Sequence, residues 1–174
     1  FSLQSNIIGI LFRSFIIISF CEELVKWLFT YVICWKDKNF NYVYDAIVYC
    51  VFISLGFASV ENLIAILSNS GGFTLALQRG LITVPAHAFF GIISGYYLGL
   101  AKKYEARRWN KRKRKYIILS LLIPIIVHGM FDSLLFLSST ASLLFATALI
   151  VYLYLSSALK VVKTSSEAKK ITRR

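Results

Sequence analysis

The chain has 174 residues, of which 57% are hydrophobic and 16% aromatic, and its mean hydropathy is +0.67. These values exclude an ordinary soluble globular protein and indicate an integral membrane protein. Basic residues outnumber acidic residues by 20 to 8, which gives a net charge of +12. Most of the basic residues lie outside the apolar stretches, and this pattern favours membrane loops over a nucleic-acid-binding surface.

Five apolar stretches follow one another along the chain. They cover residues 7–35, 42–67, about 73–101, 116–137 and 143–159. A backbone inside hydrocarbon must satisfy its own hydrogen bonds, and the alternating pattern of barrel strands is absent from the sequence. The sequence therefore predicts an all-α, polytopic transmembrane helical bundle with about five spans.

The domain organisation follows from what separates these stretches. No linker or low-complexity tract divides the sequence, so we expect residues 1–174 to form a single integral-membrane domain. Because the first residue is Phe1 rather than Met and no leader pattern precedes the first span, we also expect further helices upstream in the full protein.

The basic residues predict the direction of insertion. Nine lie in residues 102–115 and six in residues 160–174. With strict alternation of spans, both segments and the lysines of residues 36–38 fall on one side of the membrane, which the positive-inside rule assigns to the cytoplasm. The uncharged connections at 68–72 and 138–142 then face outward. We expect the basic loop 102–115 to contact anionic lipids, and we expect no nucleic-acid partner.

Ionisable and amide side chains interrupt four of the five stretches. They include a set of eight: Glu22, Glu23 and Lys26 in the first, Glu61 and Asn62 in the second, His87 in the third, and His128 and Asp132 in the fourth. If the charged members all faced lipid, they would together cost over ~10 kcal/mol, so we expect the set to face one another or a water-filled cavity. Counted at about 1.5 Å per residue from the outer helix ends, their depths range from about 7 to about 22 Å. The set therefore predicts a polar column entered from outside the cell.

Spacing within the helices suggests how some of these groups pair. Glu22 and Lys26 are four residues apart and share a helix face, as do His128 and Asp132. Lys26 can therefore neutralise a glutamate. Asp132 can accept a hydrogen bond from one ring nitrogen of His128 and leave the other nitrogen for chemistry or a metal.

Several functions remain compatible with this set of residues. Adjacent carboxylates in a poorly hydrated site suit a general base that activates water. The histidines could stabilise an oxyanion, or could bind a divalent metal together with a carboxylate; the candidates for metal ligands are Glu61, His87, His128 and Asp132. A transporter or proton-conducting protein could use the same carboxylates as a relay.

Four sequence motifs carry a family resemblance. They are "CEELVK" at 21–26, "LGFASVENL" at 55–63, "RGLITVPAHAFFGIISGYYLGLAK" at 79–102 and "HGMFDSLLF" at 128–136. In this order they resemble the PrsW family, a group of bacterial intramembrane proteases related to the CAAX-processing and bacteriocin-immunity membrane proteases. The resemblance implies a multi-pass protease of the bacterial cell membrane that makes the first, extracytoplasmic cut in a membrane-spanning anti-sigma factor.

The resemblance also implies roles for particular residues. Glu22 and Glu23 match the essential glutamate pair of the family, and the site is completed by Glu61, His87, His128 and Asp132. In the related CAAX-type proteases a glutamate activates water without a bound metal. We therefore expect no cofactor, while a divalent metal such as zinc stays an alternative.

Taken together, the residues and the resemblance predict an intramembrane or membrane-proximal endopeptidase. The expected catalytic residues are Glu22, Glu23, His87 and His128, and the expected supporting residues are Lys26, Glu61, Asn62 and Asp132. In this hypothesis Glu22, assisted by Glu23, activates water, and the two histidines position it or stabilise the oxyanion. The expected partner is a single-pass membrane protein such as an anti-sigma factor.

Overall fold

The computed structural model describes residues 6–68, 72–166 and 171. Its helices are α1 (Ile7–Phe12), a π-helical segment (Arg13–Ser19), α2 (Phe20–Cys34), α3 (Val43–Ser68), α4 (Gly72–Ala106), α5 (Asn110–Leu137) and α6 (Thr140–Ser166). Within the described residues, α3, α4, α5 and α6 are each long and apolar enough to cross a membrane. The continuous run of α1, the π-helical segment and α2 forms the fifth member of the bundle. The predicted all-α membrane bundle of about five helices is confirmed.

The first predicted span is helical throughout, but it is not a uniform α-helix. The π-helical segment Arg13–Ser19 interrupts it, and there the ring of Phe15 lies against Gly129 of α5, where a Cβ atom would be only 2.5 Å from Phe15 Cδ1. A π turn holds more residues than an α turn, so it changes the direction in which the following side chains point. In α2, which begins directly afterwards, Glu23 and Lys26 are buried.

Helices α3 and α4 approach each other along a strip of small residues. A Cβ atom added to Gly95 would lie 2.5 Å from Ile47 Cα, and one added to Gly99 would lie 2.6 Å from the carbonyl oxygen of Val43. Only glycine permits this backbone contact. The close packing brings the polar residues of α3 within reach of the α4 side chains.

The basic segment 102–115 is not the long loop that its charge suggests. Helix α4 continues to Ala106 and α5 begins at Asn110, so residues 107–109 alone connect them, with Arg108 at a φ of 58°. Lysine and arginine are good helix formers, and their charges are solvated where the helices extend past the apolar spans. The expectation of a loop is therefore wrong, and the segment is two helix ends joined by a tight turn.

The connection between α5 and α6, in the uncharged segment 138–142, is a tight polar turn. Ser138 has a φ of 44°, and Ser139 lies at the N-cap of α6. Ser142 N–H donates to Ser139 Oγ at 3.1 Å, while Ser139 N–H donates to Ser142 Oγ at 3.0 Å, which is a reciprocal capping arrangement. The other predicted outer connection lies largely outside the described residues, at 69–71, as does most of the tail, at 167–170 and 172–174.

Candidate active site

Four helices bring the polar residues of the apolar stretches together in one cluster. Its members are Glu22, Glu23 and Lys26 of α2, Glu61 and Asn62 of α3, Arg79 and His87 of α4, and His128 and Asp132 of α5. A cavity of about 140 Å³ opens between α2, α3, α4 and α5. This volume has room for several water molecules. The cluster is therefore a polar centre, with access for water, inside an apolar bundle.

Lys26 joins three members of the cluster. Its Nζ lies 2.7 Å from Glu23 Oε1 and 3.5 Å from Glu22 Oε2, and it also lies 2.8 Å from Nδ1 of His87. Its side chain is only 4% exposed. A buried ammonium group needs such partners, since an unpaired charge inside the bundle would be costly.

His128 has a carboxylate at each ring nitrogen. Nδ1 lies 2.9 Å from Glu23 Oε1, and Nε2 lies 3.4 Å from Asp132 Oδ2. The ring also stacks on Phe90 with 4.7 Å between centroids, which fixes its plane. The expectation that one nitrogen of His128 would stay available is therefore wrong, because Glu23 lies on the inward face of α2 and reaches it.

The two adjacent glutamates differ in access. The side chain of Glu22 is 17% exposed and lines the cavity, whereas the side chain of Glu23 is 4% exposed and is enclosed by Lys26 and His128. Glu22 is thus the carboxylate that water in the cavity can reach. Glu23 contacts both Lys26 and His128 through Oε1 and so fixes the positions of these two side chains.

Arg79 is a member of the cluster that the sequence analysis missed. Its Nη2 donates to Glu61 Oε1 at 2.6 Å and its Nε donates to Asn62 Oδ1 at 2.8 Å, so it links α4 to α3. It also lines the cavity. The signal was present in the sequence, because Arg79 is the single basic residue within residues 73–101.

His87 lies between Lys26 and Glu61. A charged lysine has three donors and no acceptor, so Nδ1 of His87 accepts from Lys26 and the ring hydrogen of the neutral imidazole sits on Nε2. Nε2 lies 3.0 Å from Glu61 Oε2. This arrangement assigns the Nε2–H tautomer to His87.

The donor types and the charge balance of the cluster fit a divalent cation. Glu22, Glu61 and His87 each offer one ligand atom, and these atoms lie within 4.8 Å of one another. Within the described residues, Glu61 Oε2 is buried without a hydrogen bond of good geometry. The cluster also holds four carboxylates against two basic side chains, Lys26 and Arg79, which leaves negative charge for a metal to balance. This set shares Glu61 and His87 with the ligands considered from the sequence, whereas His128 and Asp132 pair with each other.

One contact opposes metal binding in this arrangement. With Lys26 donating to Nδ1, His87 keeps its hydrogen on Nε2 and has no lone pair free on either nitrogen. The residues therefore fit a metal through His87 only if Lys26 releases that nitrogen.

The fold and the cluster define a class: a multi-pass helical membrane protein with a carboxylate and histidine centre between its spans. The description of the family whose sequence model matches residues 2–159 is "PrsW family intramembrane metalloprotease". The chain belongs to the PrsW family, as the four motifs predicted.

Relatives named Protease PrsW support the same assignment. The protein of Halalkalibacterium halodurans is 42% identical over 129 residues, which are 74% of this chain and 57% of the relative. That of Clostridioides difficile is 32% identical over 164 residues, 93% of this chain and 68% of the relative. That of Bacillus subtilis is 37% identical over 127 residues, 73% of this chain and 56% of the relative. The chain thus spans between about half and two thirds of their length, and no solved structure matches it.

Proposed function

We propose that this chain carries the catalytic centre of an intramembrane or membrane-proximal endopeptidase that hydrolyses a peptide bond of a membrane protein. The observation that carries the proposal is the position of Glu22. It lines a cavity together with His87 and His128, while its neighbour Glu23 is enclosed. Membership of a family of intramembrane proteases, and the name of its relatives, support the same reaction class.

In the proposed mechanism Glu22 acts as the general base. It takes a proton from a water molecule in the cavity while the water oxygen attacks the scissile carbonyl carbon, and it later gives the proton to the leaving amine. His87 donates its Nε2–H, which makes no hydrogen bond of good geometry with Glu61, to the oxyanion that forms. His128 stays between its two carboxylates and keeps Glu23 and Asp132 in position. Lys26 and Glu23 fix the two rings, and Arg79 with Asn62 holds Glu61 beside His87.

We propose that this reaction proceeds without a metal, because Lys26 occupies Nδ1 of His87. A divalent cation, when bound, would be held by Glu22, Glu61 and His87 and would polarise the carbonyl and acidify a bound water molecule. Elemental analysis of the purified protein, with activity measured before and after chelation, separates the two accounts. We expect activity to survive chelation; stoichiometric zinc lost together with activity would overturn the metal-free account.

We further propose that the substrate is a single-pass membrane protein such as an anti-sigma factor, cut on its extracytoplasmic side. The distribution of basic residues supports this side, because it assigns the uncharged α5–α6 turn to the outside and Asp132 lies only six residues before that turn. Co-reconstitution with a tagged single-pass anti-sigma factor from the same genome, followed by mass spectrometry of the fragments, tests the proposal. A cut mapped to the cytoplasmic side would contradict it.

A proton-conducting or transport function is the second candidate, because the contacts form a continuous chain. It runs from Asp132 through His128, Glu23 and Lys26 to His87. Such a chain could relay protons. A flux assay on protein-loaded liposomes distinguishes the two functions: we expect peptide cleavage without ion flux, and flux without cleavage would favour the relay.

A further inference from the structure

A second cavity lies at the other end of the bundle, away from the candidate active site. Its volume is about 600 Å³, within the range of ligand pockets. It is lined by Trp35, Lys36, Asp37, Lys38, Phe40, Lys102, Glu105, Ala106 and Ile171. These residues belong to the end of α2, the turn that follows it, the end of α4 and the tail.

The inner wall of this cavity combines aromatic rings with a lysine. Lys102 Nζ donates to the carbonyl oxygen of Trp35 at 2.5 Å, and it lies 4.8 Å from the centroid of the Trp35 ring and 5.3 Å from that of Phe40. Both rings are almost completely buried. The ammonium group is therefore held at a fixed place against an apolar surface, as a cation–π contact allows.

The charge of the cavity is positive once its internal ion pairs are counted. Glu105 pairs with Lys113, and its other oxygen lies 3.4 Å from Lys102. Lys36 and Lys38 lie exposed at the rim. The four lysines in and beside the cavity thus stand against two carboxylates, Glu105 and Asp37.

We propose that this cavity binds the headgroup of an anionic phospholipid. A phosphate would meet Lys36, Lys38 and Lys102, while the glycerol and the first carbons of the chains would contact Trp35 and Phe40. Trp35 directly follows the last residue of α2, at the end of a membrane-embedded helix. Tryptophan is enriched at such positions because its ring prefers the membrane–water interface. The position of the cavity therefore suits a lipid headgroup better than a free phosphate. Basic pockets between helix ends on the positively charged side of membrane proteins recognise such headgroups. This site does not depend on the proposed peptidase activity.

Trp35 provides a direct reporter for the test. The chain has three tryptophans, so the double substitution Trp27→Phe and Trp109→Phe leaves the fluorescence of Trp35 alone. This variant is reconstituted into phosphatidylcholine vesicles that contain either brominated phosphatidylglycerol or brominated phosphatidylcholine as quencher. We expect phosphatidylglycerol to bind beside Trp35 on the order of tenfold more tightly than phosphatidylcholine. Equal quenching by the two lipids would overturn the proposal.

Paired charge variants separate the cavity from the general surface charge. In the same background, Lys36→Gln with Lys38→Gln is expected to lower the preference for phosphatidylglycerol by about fivefold or more. The matched control, Lys111→Gln with Lys115→Gln, removes the same charge from exposed positions outside this cavity and is expected to change the preference by less than about twofold. Equal losses in both pairs would overturn the proposal.

Two further measurements test whether the ligand of this cavity is a lipid. Inorganic phosphate is expected to leave the quenching by phosphatidylglycerol unchanged. If phosphate displaced the lipid, the cavity would be a site for free anions, and the lipid proposal would be overturned. Native mass spectrometry of the unsubstituted chain, exchanged into equal amounts of the two lipids, gives a readout that does not rely on the tryptophan variants. Retention of phosphatidylcholine as often as phosphatidylglycerol would contradict the proposal.

Discussion

At the scale of single residues, the decisive feature is the different surroundings of Glu22 and Glu23. They are adjacent in sequence, yet Glu22 lines the cavity and Glu23 is enclosed by Lys26 and His128. Successive residues of a helix point about 100° apart, so one can face the bundle interior while the next lies at its edge. This geometry divides the pair into a water-accessible carboxylate and a positioning carboxylate.

The sequence predicts which residues face the interior and which of them pair within one helix, but it does not predict the contacts between helices. The cost of a charge in lipid requires Glu22, Glu61 and His128 to face inward, and this holds whatever the details of packing. The contacts of Lys26 with His87, and of Glu23 with His128, depend on the rotation of α2 after the π-helical segment. A pattern of spacings within single helices does not contain that information.

Arg79 gives a prediction at this scale. Arg79→Gln removes the cation that holds Glu61 and the donor to Asn62, so we expect kcat for peptide cleavage to fall about 10- to 100-fold with little change in KM. Arg79→Lys keeps the charge but lacks the planar arrangement of donors. Its kcat is therefore expected to lie between that of Arg79→Gln and that of the unsubstituted chain. Gln78→Ala, an exposed neighbour on α4, is the control and should keep the full rate. A wild-type rate for Arg79→Gln would show that the ion pair does not position Glu61.

At the scale of helices, the predicted ends of the spans agree with the observed helix ends to within a few residues wherever the helix ends together with the apolar sequence. The predicted boundaries are wrong where hydropathy does not determine the local conformation of the helix. Helices α4 and α5 extend into the basic segment because charged residues form helices in water, and the π-helical segment Arg13–Ser19 has no signature in an apolar run. The glycines at 91, 95 and 99 recur at four-residue spacing in the sequence, which permits a close approach on this face of α4 but does not identify α3 as the neighbour.

The packing of α3 on α4 predicts opposite effects for two glycine substitutions. Gly95→Ala places a methyl group against the backbone of Ile47, so we expect the free energy of unfolding to fall by about 1 to 3 kcal/mol. Gly56→Ala meets nothing within 4 Å and should raise it by about 0.5 to 1 kcal/mol, since alanine is the better helix former. Unfolding in mixed micelles, followed by circular dichroism, measures both. Equal effects of the two substitutions would contradict the contact.

At the scale of the whole molecule, the basic residues concentrate at one end of the bundle and the cavity of the candidate active site lies nearer the other. The turn at 107–109 and the segment 36–41 form the basic end, while the α5–α6 turn at Ser138 and Ser139 is uncharged. This asymmetry is the basis for our proposal that the cavity lies in the extracytoplasmic half of the membrane.

The proposed orientation predicts which engineered cysteines an impermeant maleimide can reach in intact cells. Ser139→Cys lies in the turn assigned to the outside and is expected to react. Lys111→Cys, assigned to the cytoplasm, is expected to react only after permeabilisation, and the parent chain with its three native cysteines gives the background. Labelling of Lys111→Cys alone in intact cells would reverse the orientation.

The most direct test of the central claim is the cleavage rate of the Glu22→Gln variant, co-reconstituted with a tagged single-pass substrate. Glutamine keeps the size of the side chain but cannot accept a proton from water, so we expect the rate to fall by about 100-fold or more while the helical circular dichroism is unchanged. Glu105→Gln, which removes a carboxylate at the opposite end of the bundle, should cleave at the rate of the unsubstituted chain. Cleavage at that rate by a folded Glu22→Gln variant would contradict the role of Glu22 as the base.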